Sequence, residues 1–197
     1  MKRLLVLLVS LTLLSFGSDT VNTVVVGITS KSTLRIVGKT NVNTFTCDYD
    51  IADLSDPHRI AYHGHGKHVK FDAATLILNN KNFDCGGKAI NKDFHKLLRT
   101  EEHPYITLEL KKLDGDQATP NDFTATVEIE IVDKSNTYEI PVKVDKQADY
   151  HVTGSLMVDL NDYGIEPPTK VMGMIKVKDE IDIQFDLYLQ HLNKPNR

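Results

Sequence analysis

The residues best suited to chemistry in this chain lie in one short run, Tyr62-His63-Gly64-His65-Gly66-Lys67-His68. In an extended backbone His63 and His65 share a face, so the pair is a candidate site for zinc or copper. No carboxylate or cysteine stands beside them at a tight ligand spacing, and the glycines between them favour a mobile, solvated loop. A second cluster, Asp159, Asp162 and Glu166, surrounds Gly164 and Pro167-Pro168, and reads as turn chemistry rather than as an acid–base pair. The chain contains no G-x-S-x-G, no H-E-x-x-H and no Gly-rich phosphate loop, so catalysis finds no support. The two cysteines, Cys47 and Cys85, offer redox chemistry instead. Cys47 lies on an alternating run (Phe45, Cys47, Tyr49, Ile51), and Cys85 follows the next run. A hairpin between those runs would bring the two together, and we expect a Cys47–Cys85 disulfide worth on the order of 3–4 kcal/mol by loop closure.

The elements that must carry these residues are strands. Ile181 to Leu189 and Phe123 to Ile131 alternate apolar and polar residues without a break. Successive side chains of a strand point to opposite faces, so each run has one apolar and one wet face. Similar runs span Thr33–Lys39, Val42–Asp53, Val69–Leu78, Tyr105–Leu113, Thr137–Val144 and Val152–Leu160. The last stretch, Val171 to Leu189, reads as two arms around Lys178-Asp179-Glu180. One segment departs from the rhythm. In Ile90–Thr100, Phe94, Leu97 and Leu98 form a helical stripe, with Asp93 early, Lys96 and Arg99 late, and Pro104 beyond. About eight strands with turn signals between them predict an all-β fold, an antiparallel eight-stranded barrel with one short helix inserted between strands.

The apolar face could meet lipid or a core. An outer-membrane barrel carries aromatic girdles. This chain has no Trp, its final residues His191–Arg197 are mostly polar, and a helix interrupts its strands. The apolar rows therefore turn inward. Residues 1–17 read as a secretory signal peptide: basic Lys2 and Arg3, an apolar stretch Leu4–Leu14, and small residues at Ser15 and Gly17. The mature domain would be 18–197, and losing the two cations moves the formal net charge from −4 to −6. An acidic exported domain presents no footprint for nucleic acid and no basic face for anionic membranes, and nothing in it spans a membrane. Periplasmic or secreted location follows, and a disulfide is permitted there.

Beyond pattern, the ordered motifs resemble the YceI-like, polyisoprenoid-binding family from about Thr33 to Leu189. Ser32-Thr33-Leu34-Arg35-Ile36-Val37-Gly38 is similar to its opening strand. Asp93-Phe94-His95-Lys96-Leu97-Leu98 followed by His103-Pro104-Tyr105-Ile106-Thr107-Leu108 is similar to its helix and "Y-P-x-I-T-F" strand. Ile140-Pro141-Val142, Asp162-Tyr163-Gly164-Ile165 and Asp179-Glu180-Ile181-Asp182-Ile183 fit its "L-P-V" strand, "D-F-G-I" turn and final strand. Val132-Asp133-Lys134-Ser135 stands where the family often has "H-G-V-T", and Leu160 where it often has Arg.

The resemblance implies a lipocalin-like barrel that holds an apolar lipid, an isoprenoid or a quinone, without catalysis and without a required cofactor. The candidate lumen residues are Leu34, Ile36, Phe71, Leu108, Phe123, Val127, Ile129, Leu156, Ile183, Phe185 and Leu187. Two other readings stay open: a ligand-free structural or interaction barrel with a solid core, and a metal-binding exported protein using His63 and His65. The sequence leaves the oligomeric state open, a homodimer among the possibilities.

Overall fold

The computed structural model describes residues 20–192 except 116, 117, 148, 168 and 171–173, and the expected signal peptide lies outside them. Among the described residues, thirteen strands and one α-helix follow in chain order. They are β1 (Asn22–Ile28), β2 (Thr33–Thr40), β3 (Thr44–Tyr49), β4 (His58–His65), β5 (His68–Ala73), β6 (Thr75–Asn79), β7 (Phe83–Asp84), α1 (Lys88–Leu97), β8 (Tyr105–Gly115), β9 (Asp122–Ile131), β10 (Lys134–Lys146), β11 (Tyr150–Asp159), β12 (Thr169–Lys170) and β13 (Ile175–His191). The fold is the expected all-β antiparallel barrel with one inserted helix.

The sheet closes as a ring of eight strands, β1-β4-β5-β8-β9-β10-β11-β13, with β13 returning to β1. A second circuit runs below it. The other part of β13 pairs with β2, then β3, then β7, while β6 pairs with the first half of β8. A 3-10 turn at Asn80–Asn82 joins β6 to β7, so this stretch bonds β8 on one side and then β3 on the other. The five strands β8, β9, β10, β11 and β13 thus belong to two tiers: an upper one closed by β1, β4 and β5, and a lower one closed by β2, β3 and β6–β7. Sharing requires length. β13 has 17 residues, about 55 Å of chain at roughly 3.3 Å per residue.

Where the tiers meet, the chain bends. β8 pairs with β6 through Glu109 and with β5 from Lys112, and a bulge between Leu110 and Lys112 marks the change. Ala74, between β5 and β6, accepts the Leu110 N–H at 3.0 Å. The sequence reading of Val69–Leu78 as one strand is therefore corrected: it is two, one in each tier. The two arms expected within 171–189 are instead one strand, and Lys178-Asp179-Glu180 fall within a register shift between Val177 and Ile181. β1 was not anticipated, because Thr-Val-Val-Val has no alternation to announce it. The His63/His65 stretch is not a loop but the end of β4, paired with β5; Gly66 (φ 68°) supplies the tight turn, and Gly64 (φ 94°), within the strand, admits the close approach of the His68 carbonyl.

The Cys47–Cys85 disulfide forms, though not across the expected hairpin. Asp48 pairs with Asp84 and Tyr49 with Phe83, which brings Cys85 opposite Cys47 at the next register step. Both cysteines are buried. Beside them the Tyr49 hydroxyl accepts the Asn79 N–H at 3.0 Å and bonds the Asp53 carboxylate, tying β3 to β6 where no ladder joins them. Helix α1 leans Ile90, Phe94 and Leu97 on the core, with Phe94 5.3 Å from Phe83. The tight turn between β9 and β10 places Val132 and Asp133 at φ 51° and 71°, the region a Gly would favour. Burial of the Val132 side chain holds it there, and Arg99 donates to its carbonyl at 3.4 Å.

Two outcomes follow from the closure of the lower tier. Reducing the disulfide, or replacing both cysteines with Ser, opens a loop of sequence separation 38 and should lower stability by about 4 kcal/mol. Urea titration with and without reductant measures it; an unchanged midpoint would contradict a structural role. Burial, then the bond to Asp53, raises the Tyr49 pKa from 10.0 to about 12. A raised folded-state pKa means stability is intact below pH 10 and is lost as pH climbs toward 12. The Tyr49→Phe variant should lose that component of the alkaline fall in denaturation midpoint; the same slope in both proteins would contradict it.

Candidate functional site

Register decides which side chains face inward. Phe123 pairs with Val142, Ala125 with Ile140 and Val127 with Tyr138. Ile183 stands between Leu156 and Ile36, and Phe185 between Gly154 and Leu34. These rows run unbroken from one tier into the other, so the same strand can be compared along its length.

The lower tier is filled. Ile129 (1% exposed), Val158 (0%) and Tyr163 (1%) are among the most buried side chains, with Ile131, Leu160, Ile165 and Ile181 around them. Tyr163 closes the lower end: it is the last residue of a 3-10 turn whose cap, Asp159, accepts the Asn161 N–H, and it donates its hydroxyl to the Ile129 carbonyl at 3.2 Å. Burial drives its pKa well above the usual phenol value and raises that of Tyr138 too. The turn-chemistry reading of Asp159, Asp162 and Gly164 (φ 66°) agrees with this geometry.

The upper tier is less deeply buried, although Val26 and Ile28 of β1 and Ala125 of β9 are buried there too. Along β13 exposure rises from buried Ile181 to half-buried Ile183, Phe185, Leu187 and Leu189. Along β9 it rises from Ile129 and Ala125 to half-buried Phe123, and along β10 from Ile140 and Val142 to Val144. Opposite them, Tyr62, Phe71 and Leu113 are half-buried on the same inner face. Two glycines deepen this space. A Cβ at Gly154 would sit 2.6 Å from the Phe185 ring, and one at Gly115 2.7 Å from the Phe123 ring. Each phenyl therefore lies against the opposing strand's glycine, close to the wall instead of across the middle.

The eleven candidate lumen residues divide along this gradient. Leu34, Ile36, Val127 and Ile129 are buried in the core. Leu108, Phe123, Leu156, Ile183 and Phe185 are half-buried against it. Phe71 and Leu187 are half-buried in the upper tier. Sequence reasoning overlooked Tyr62, hidden in the stretch read as a loop, and Leu113, which the β8 bulge carries past a break in the alternation. Two concavities of about 490 and 310 Å³ lie on the outer wall, meeting at Thr153, Gly154 and Gln184. Their outward side chains are mostly polar (Asp122, Lys143, Arg35, Asp186), which suits no alkyl chain.

The histidines pair with acids instead of converging. His63 Nδ1 lies 3.3 Å from Asp72 and His68 Nδ1 3.0 Å from Asp114, while His65 is exposed at the strand end. Among the described residues no three His, Cys, Asp or Glu side chains gather to hold a metal ion.

An eight-stranded antiparallel barrel with an inserted helix and an apolar interior belongs to the lipocalin-like class of architecture. Residues 28–189 match the YceI-like domain, and the chain belongs to that family. Among solved structures it is similar to Burkholderia cenocepacia BcnA, at 20% identity and TM-score 0.56 over 80% of this chain and 96% of that one. It is also similar to a polyisoprenoid binding domain from Saccharophagus degradans implicated in plant cell wall breakdown, at 13% identity and TM-score 0.57 over 85% and 99% of the two chains. The Campylobacter jejuni YceI protein matches at 9% identity and TM-score 0.52, over 64% and 75%. The chain matches no curated protein.

The difference between tiers has a measurable signature. Ile129→Ala leaves a cavity in the filled tier and should cost about 3 kcal/mol, whereas Leu187→Ala trims a side chain water already reaches and should cost about 1 kcal/mol. Guanidinium denaturation compares them; equal losses would contradict the difference in burial between the tiers.

Proposed function

We propose that this protein is an exported, non-catalytic lipid-binding protein that holds a long apolar chain, isoprenoid in type, in the upper tier of its barrel. The observation that carries the reading is the gradient itself. Inward apolar rows that are buried in the lower tier continue into the upper tier half-exposed, at Phe71, Phe123, Val144 and Leu187. Leaving apolar surface wet is unfavourable by roughly 25 cal/mol per Å², and an alkyl chain placed there removes that cost while contributing about 0.8 kcal/mol per buried CH₂. A dozen methylenes supply about 10 kcal/mol before the cost of ordering the chain. Family membership and the polyisoprenoid-binding neighbour from Saccharophagus degradans point the same way. The disulfide and the leader-like residues 1–17 support export, and no described helix is long and apolar enough to cross a membrane.

Purified protein extracted with organic solvent should release a long-chain lipid detectable by mass spectrometry. The delipidated protein should bind geranylgeraniol, read by displacement of a fluorescent fatty-acid probe. Val152→Trp, which faces Leu187 across the ladder, should weaken that binding at least tenfold with the fold intact by circular dichroism. An empty extract together with no probe displacement would contradict the proposal.

A further inference from the structure

The outer wall carries a groove that the lipid reading leaves unused. It lies where the tiers meet, across β10, β11, β13 and β2, in the two concavities that join at Thr153, Gly154 and Gln184. Register sets two neighbouring outward rows there. In the first, Lys143 pairs with Thr153, Thr153 with Asp186 and Asp186 with Thr33. In the second, Ser155 pairs with Gln184 and Gln184 with Arg35. Four strands at about 4.8 Å spacing make the groove roughly 14 Å long. The short side chains of Thr153 and Ser155 keep its middle open.

Its polar groups are held in place by residues outside the groove. The Asp186 carboxylate meets His151 Nε2 at 2.8 Å, and the His151 ring stacks on Tyr188 with centroids 4.2 Å apart. Arg35 Nε lies 3.1 Å from Asp48, and the Gln184 amide donates to Asp182 at 2.7 Å. None of these bonds exhausts its group. The guanidinium keeps N–H donors, the amide keeps its carbonyl oxygen, and the carboxylate keeps lone pairs. Side chains fixed before binding lose little entropy when a ligand bonds them.

Charge along the groove is balanced, with Asp122 and Asp186 against Lys143 and Arg35. A polyanion would meet the two carboxylates, and a polycation the two cations. An extended peptide would find no strand edge to pair with, because all four strands have neighbours on both sides. A hydroxyl both donates and accepts, so a neutral molecule rich in hydroxyls satisfies the donors and the acceptors together. Pro141 adds an apolar surface for carbon-bound hydrogens. We propose that this groove binds a neutral oligosaccharide of a few sugar units, at a site separate from the barrel interior.

Isothermal titration calorimetry tests it with three neutral trisaccharides, maltotriose, cellotriose and tri-N-acetylchitotriose, and with trigalacturonate as the anionic comparison. At least one neutral probe should bind, more tightly than trigalacturonate and with an affinity that salt leaves unchanged. Gln184→Ala removes a bonding partner and Ser155→Trp fills the groove. Each should weaken that binding roughly tenfold or more, with the circular dichroism spectrum and lipid-probe displacement unchanged. No binding of any neutral probe at millimolar concentration overturns the proposal, as does binding that both variants leave intact. Binding of trigalacturonate alone, lost in salt, overturns the assignment of a neutral ligand. Each of these failures leaves the lipid-binding reading standing.

Discussion

An eight-stranded ring encloses little more space than its own inward side chains can fill. This protein meets that constraint twice along one axis and buries its two tiers to different depths. In the lower tier, Ile129, Val158 and Tyr163 occupy the interior and shut its end. In the upper tier, half-buried Val144, Val152 and Leu187 take inward positions with Phe123, whose ring rests against Gly115, while Phe185, paired with Leu34 of β2, rests against Gly154 where the tiers meet. The lower tier supplies stability, and the less buried upper tier is the one proposed to hold ligand.

The long strands make this division possible. Five of them run through both tiers, so the packed half holds the open half in register without a separate domain. At the junction each local device has a physical reason. The β8 bulge re-aims the chain as its partner changes from β6 to β5, and Ala74 caps the bend with a backbone bond. The disulfide and Tyr49 secure β6–β7, the weakest part of the lower wall because β7 is only two residues long. These restraints lie in the filled tier, away from the space proposed for ligand.

Much of this was legible in the sequence where one face of a strand is buried and the other wet. β9 and the main run of β13 were read correctly because Phe123–Ile131 and Ile181–Leu189 alternate in phase with the pleat. The reading failed where other forces set the pattern. β1 has too uniform an apolar stretch to show a period, and β4 looked like a loop because Gly64 lies within the strand and Gly66 in the turn just after it. Val69–Leu78 concealed a change of tier, since a bend at Ala74 leaves no mark on the alternation around it. The bridge between Cys47 and Cys85 was anticipated while its strand pairing was not: two residues of β7 are too short to announce a strand. The apolar candidates for the lumen were visible as a set. Their division between tiers was not, because hydropathy reports which face a residue takes and not how far its space is filled.

The central claim is that the upper tier, and not the lower, is the container. Its most direct test is a crystal structure of the protein soaked with a long-chain alcohol brominated near the end of the chain. The account predicts an anomalous bromine peak inside the upper tier, bounded by Phe71, Phe123 and Leu187, with Ile129 and Tyr163 unmoved. A peak confined to the outer wall around Gly154, or no ordered chain inside the barrel at saturating ligand, would contradict it.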